Sequence, residues 1–128
     1  MRDELIKYET AKLAKEKGFK ETCQYFYYGK EPILTYIPFS NKNSLDSEYA
    51  TPTQSLLQRW LREVHGIHIA IEFSNMQNAY FHKVYASTED LIDIEMKYLT
   101  IEPENYIIYA TYELALESAL LEALNLIP

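Results

Sequence analysis

Across Gly66 the apolar residues change their period. Upstream, Leu56, Leu57, Trp60, Leu61 and Val64 fall on one side of a helical wheel, while Ser55, Gln58, Arg59 and Arg62 fall on the other. Downstream, Ile67, Ile69, Ile71 and Phe73 alternate with His68, Ala70 and Glu72. A 3.6-residue period is a helix burying one stripe, and a two-residue period is a strand with one covered face. A chain that passes directly from one to the other must build helices and a sheet around a shared core, which predicts an α+β fold. The helix has a legible start in Thr51-Pro52-Thr53-Gln54. Thr51 reads as the cap, Gln54 as its reciprocal partner and Pro52 as the first helical residue, where a missing N–H costs nothing.

The remaining segments extend this pattern. Asp3 to Lys17 reads as a first helix, with Asp3 as cap, a stripe at Ile6, Thr10, Leu13 and Ala14, and lysines before a Gly18 stop. Thr22–Tyr28 and Ile33–Ile37 read as a β-hairpin turning at Gly29–Pro32, and Pro38–Ala50 as a long loop. A second hairpin turns at Asn75–Asn78 and returns along Tyr80–Ala86. Ile92 to Tyr98 alternates as a third strand would, although Thr88 followed by acids would equally cap a short helix. Thr111 caps a closing helix to Ile127, whose Leu116, Ala119, Leu120, Ala123 and Leu124 form a wide apolar arc. The expected order is α-β-β-α-β-β-(β)-α in one domain over residues 1–128, with an antiparallel or mixed sheet packed against helices.

Composition narrows the function classes. A chain of 128 residues, 48% hydrophobic and 24% charged, suits one folded core rather than a disordered segment. No apolar run approaches the roughly 20 residues of a membrane-spanning helix, and Met1–Glu4 lacks the basic start of a secretory signal. The single cysteine, Cys23, has no internal disulfide partner, so a reducing compartment, the cytoplasm, is expected. Net charge is −7, and residues 89–128 carry nine acids against Lys97 alone. That acidic third repels phosphate backbones, which argues against a nucleic-acid partner and favours solubility or mimicry of a polyanion.

Three blocks are distinctive: ETAKLAKEKGF (Glu9–Phe19), PTQSLLQRWLREVHGIHI (Pro52–Ile69) and TYELALESALLEALNLI (Thr111–Ile127). They resemble a family of short uncharacterised proteins encoded by bacteriophages and prophages of Bacteroides-type gut bacteria, in which a PTQSLLQ(R/K)WLRE segment and a closing TYE-x-ALE helix recur. The blocks span about a third of the chain. The resemblance implies a phage-derived accessory protein working in the host cytoplasm, and it brings no activity, ligand or catalytic residue with it.

Residues capable of chemistry are few. His65, His68 and, more distantly, His82 are the candidate metal ligands, but a helix end and a strand start need not aim His65 and His68 at one point. Cys23 has only Lys20 nearby to activate it, so a buried, inert thiol is the expectation. Asp90 with Asp93 and Glu102 with Glu104 match no calcium-loop spacing. Nothing matches GxGxxG, a P-loop, GxSxG or HExxH, and the three glycines all mark element boundaries. No cofactor is implied, and the chain is expected to be non-enzymatic.

What stands out is surface. Twelve tyrosines are unusual, and Tyr25, Tyr27 and Tyr28 cluster on one strand, where aromatic rings serve protein interfaces more often than RNA stacking when few cations accompany them. Leu114 and Leu121 lie off the main arc of the last helix, and Arg59 with Arg62 forms the best basic patch. A protein–protein interaction module or homo-oligomer using these residues is the expectation. An acidic decoy for a nucleic-acid-binding protein, and a small metal protein or enzyme built on the histidines, are the alternatives.

Overall fold

The computed structural model describes residues 4–28, 33–40, 48–86 and 107–128. Within them the chain runs α1 (Tyr8–Glu16), β1 (Cys23–Tyr28), β2 (Ile33–Ser40), β3 (Glu48–Ala50), α2 (Gln54–His65), β4 (Ile67–Ser74), β5 (Ala79–Ala86) and α3 (Tyr112–Asn125). The fold is α+β and its strand pairs are antiparallel, but they form two sheets rather than one: β2-β1-β3 and the hairpin β4-β5. The first sheet gains a strand, β3, from the segment expected to be a loop. Its three residues pair with β1 as Phe26↔Ala50, Tyr27↔Tyr49 and Tyr28↔Glu48, giving β1 a neighbour on each side. The expected third strand at residues 92–98, like Thr88, lies outside the described residues.

Two helix starts differ from expectation for one reason. The segment before α1 is extended and bridges Leu5 to Thr53, with Ile6 N–H bonded to the Pro52 carbonyl at 3.1 Å and Gln54 N–H to the Glu4 carbonyl at 2.8 Å. Backbone groups spent on this pairing cannot join a helix, so α1 begins at Tyr8, five residues after the Asp3 expected to cap it, and Asp3 itself lies outside the described residues. Ile6 is fully buried, though from the extended segment. The α2 cap likewise falls on Thr53, whose side chain accepts the Leu56 N–H at 3.1 Å. Thr51 instead lies buried, its N–H bonded to the Tyr25 carbonyl at 2.9 Å and its hydroxyl donating to the Tyr49 carbonyl at 3.0 Å.

The helix ends follow the sequence. Gly18 (φ 93°) and Gly66 (φ 65°) adopt the left-handed conformation, and Phe19 folds back so that its N–H reaches the Ala14 carbonyl at 3.0 Å and its ring is buried edge-on against Trp60. α3 is the central element, packing on α1, α2, β4 and β5. Ala115, Ala119 and Ala123 are fully buried and permit close approach, while burial of Leu116, Leu120 and Leu124 contributes about 2 kcal/mol each.

Candidate functional site

The polar centre of the molecule is Glu117, a carboxylate within the apolar arc of α3 and only 8% exposed. One oxygen accepts the Lys7 N–H at 2.9 Å and the Thr10 hydroxyl; the other accepts the Gln54 side-chain amide at 3.0 Å, which also donates to the Glu113 carbonyl at 3.0 Å. Three helices are thereby fastened to one side chain, and no cation takes part in these bonds. The sequence does not single it out, because Glu113 is equally in register with Leu120 and Leu124, and its partners lie about 60 to 110 positions away. Next to it, a groove of about 630 Å3 opens between the starts of α2 and α3, lined by Glu4, Gln54, Gln58, Tyr80, Thr111 and Glu113 among others. None of its lining residues is Lys, Arg, His or Cys, so it offers neither a cationic partner for an anion nor an activated nucleophile.

The histidines are not brought together. In the β4–β5 register Ile71 faces His82 while His68 faces Tyr85, which puts His82 and the exposed His68 on opposite faces of the hairpin. His65 packs its ring edge-on against Trp60 at 4.7 Å, and burial pushes its pKa down. His82 Nε2 lies 2.5 Å from a Glu122 carboxylate oxygen, and its buried Nδ1 has no hydrogen-bond partner among the described residues. That contact ties β5 to α3. Beside it, the Tyr109 hydroxyl and Ser118 Oγ bond at 2.7 Å. Among the described residues no three His, Cys, Asp or Glu side chains gather as metal ligands. Cys23 is buried in β1, and desolvation, with a smaller contribution from the charge of Glu21, pushes its thiol up to about 12. The thiol is buried, as expected, and its raised pKa disfavours the reactive thiolate. The acidic pairs at 90/93 and 102/104 lie outside the described residues.

The three strand tyrosines divide. Tyr27 is half-buried, packs edge-on against Tyr8 at 5.7 Å and donates its hydroxyl to the Ile6 carbonyl at 3.1 Å; burial, then the nearby Glu117 charge, raises its pKa. It serves the core. Tyr25 is half-buried and tilts against Tyr36 at 5.2 Å, whereas Tyr28 is 51% exposed. Around them β2 presents Ile33 (65% exposed), Leu34 (44%) and Tyr36 (55%), residues whose outward placement the alternation alone did not reveal because both faces of β2 are open here. Arg59 and Arg62 stand exposed on α2. Leu114 is half exposed while Leu121 is partly covered, so the far side of α3 is a smaller apolar surface than the helical wheel suggested.

Among the described residues no helix is long and apolar enough to cross a membrane. No family model matches the chain, and no curated protein or solved structure is significantly similar to it.

Proposed function

We propose that this chain is a non-enzymatic interaction protein, a phage-derived accessory factor of the host cytoplasm, that docks a protein partner or a second copy of itself through the β1–β2 surface. The observation that carries this reading is the exposure of Leu34 and Tyr36 together on one face of the β1–β2 pair, beside Tyr25, with Tyr28 and Ile33 exposed together on the other. Those strands, CQYFYY and ILTYIPFS, hold no Asp, Glu, Lys, Arg or His in a chain of net charge −7. Single exposed apolar residues are ordinary, but uncharged apolar and aromatic pairs exposed along an edge strand support a docking role for it. The setting in a phage-infected cell rests on the sequence resemblance alone.

Sedimentation velocity over a wide concentration range, with wild type beside Leu34→Ser/Tyr36→Ser, tests it. The wild type should associate, with itself or with a host protein retained on the immobilised chain, and the folded double variant should lose that association. A wild type that remains monomeric at the highest concentration and retains no partner refutes the reading. The acidic-decoy reading draws no support from the described residues: most acids of residues 89–128 lie outside them, and Glu117 is interior.

A further inference from the structure

Three open depressions adjoin around Thr53. One of about 620 Å3 lies among Lys7, Tyr25, Tyr27 and Leu34; one of about 330 Å3 lies among Leu5, Tyr25, Pro52 and Leu56; one of about 440 Å3 lies among Leu56, Gln58, Arg59 and Arg62. All three include Thr53, the first two share Leu5 and Tyr25, and the last two share Leu56. They therefore form one groove from the exposed edge of β2, across the first turn of α2, to a pair of arginines. From Thr53 to Arg62 the helical stretch is about 13 Å long, the reach of roughly four residues of extended chain.

The two ends differ in chemistry. The strand end sets the apolar surfaces of Leu5, Tyr25 and Leu34 beside Glu4, Lys7 and Gln24, and the helix end carries two guanidinium groups three positions apart on an exposed face. The ion pairs among the described residues are His82–Glu122 and Lys83–Glu72, and neither arginine takes part in them. Arginines with no ion pair among the described residues bring positive charge and ten N–H donors, able to take carboxylates, to this end of the groove. A nucleic acid is a poorer fit. A phosphate backbone running the length of the groove would meet Glu4 at the strand end, whereas peptide carboxylates need sit only at the arginine end; the Tyr27 ring and hydroxyl are engaged by Tyr8 and Ile6, and Tyr25 rests on Tyr36, so neither ring is set out to stack a base.

We propose that this groove binds an extended peptide of a partner protein, apolar residues lying along Leu34, Tyr25, Leu5 and Leu56, and carboxylate side chains paired with Arg59 and Arg62. It names the partner class for the interaction reading above and rests on it.

A displayed library of random octapeptides selected on the full-length chain tests it. The enriched sequences should combine two or more apolar residues with neighbouring Asp or Glu. By fluorescence anisotropy, Arg59→Gln/Arg62→Gln should weaken the best such peptide by about tenfold or more, as loss of charge-assisted hydrogen bonds requires. Lys12→Gln, on an exposed part of α1, should leave it unchanged. Enrichment of peptides with no acidic bias, no enrichment at all, unaltered binding by the arginine variant, or displacement of the peptide by a thymidine oligonucleotide would each overturn the assignment. If selection fails while Leu34→Ser/Tyr36→Ser still abolishes association, the groove is wrong and the β1–β2 docking surface stands. If wild type shows no association at all, the broader reading fails with it.

Discussion

The carboxylate of Glu117 receives the backbone N–H of Lys7 at 2.9 Å, so the last helix caps the first. Lys7 has the extended backbone of a capping residue (φ −79°, ψ 165°) but no side-chain cap of its own, and the acid arrives from another element to take the orphan donor and face the positive end of α1. The Thr10 hydroxyl and the Gln54 amide then satisfy the rest of the carboxylate, which is what makes its burial tolerable.

Replacing this acid should be costly. Glu117→Ala takes the acceptor from the part-buried Lys7 N–H, the buried Thr10 hydroxyl and one N–H of the buried Gln54 amide, and a loss of about 3 kcal/mol is expected from urea denaturation. Thr10→Val, which keeps the volume and removes one donor, should cost about 1 kcal/mol. The two losses should be less than additive in the double variant, and full additivity would show that the hydroxyl and the carboxylate do not act together.

The displaced cap of α2 makes a second prediction. Thr53→Ala should lower stability by about 1 kcal/mol, and Thr53→Ser should restore most of it, because only the side-chain oxygen facing Leu56 N–H matters. An alanine variant with the wild-type denaturation midpoint would place the cap elsewhere.

Cys23 predicts an alkaline weakness. Its thiol is held neutral up to about 12 in the folded chain against 9.0 as the ordinary value, so above pH 9 the unfolded state releases a proton that the folded state keeps. Stability should be unaffected below pH 9 and fall above it, by at most about 1.4 kcal/mol per pH unit from this group. Tyr27, whose pKa is also raised, acts in the same direction from its own ordinary value of 10.0. Cys23→Ala should flatten the first part of that decline, and a thiol reagent at pH 8 should label the wild type only after denaturation.

His65 predicts the opposite slope on the acid side. Burial lowers its pKa from 6.5, so below that value the unfolded chain takes up a proton before the folded chain does. Its contribution is present above pH 6.5 and is lost as pH falls through the folded value. His65→Phe keeps an aromatic contact with Trp60 and should remove this part of the acid sensitivity. An NMR titration placing the His65 ring at or above 6.5 would contradict it.

Local patterns were legible in the sequence and long-range pairings were not. The period change at Gly66, the Gly18 turn onto Phe19 and the Thr111 cap, which accepts the Leu114 N–H at 3.1 Å, are fixed by residues within a few positions of one another. β3 is too short to show alternation and exists because β1 offers it an edge. The Thr51 and Asp3 caps were displaced because the segment around Leu5 pairs with Thr53, a contact between chain stretches about fifty residues apart. The same packing explains the candidate surface: Tyr25 and Arg59 were each identifiable, but only the seating of Leu5 between them makes one groove of their surroundings.

The dependence of α1 on α3 also orders events at the ribosome. α1 closes its own end through Gly18 and Phe19 but not its start, which needs Glu117, and the Lys17 side chain beyond that end reaches the Ile127 carbonyl at 2.6 Å. A nascent chain halted before α3 emerges should therefore hold α1 as little more than a fluctuating turn, with Phe19 and Trp60 open to chaperones. The native state should form in one step once the last leucines clear the exit tunnel.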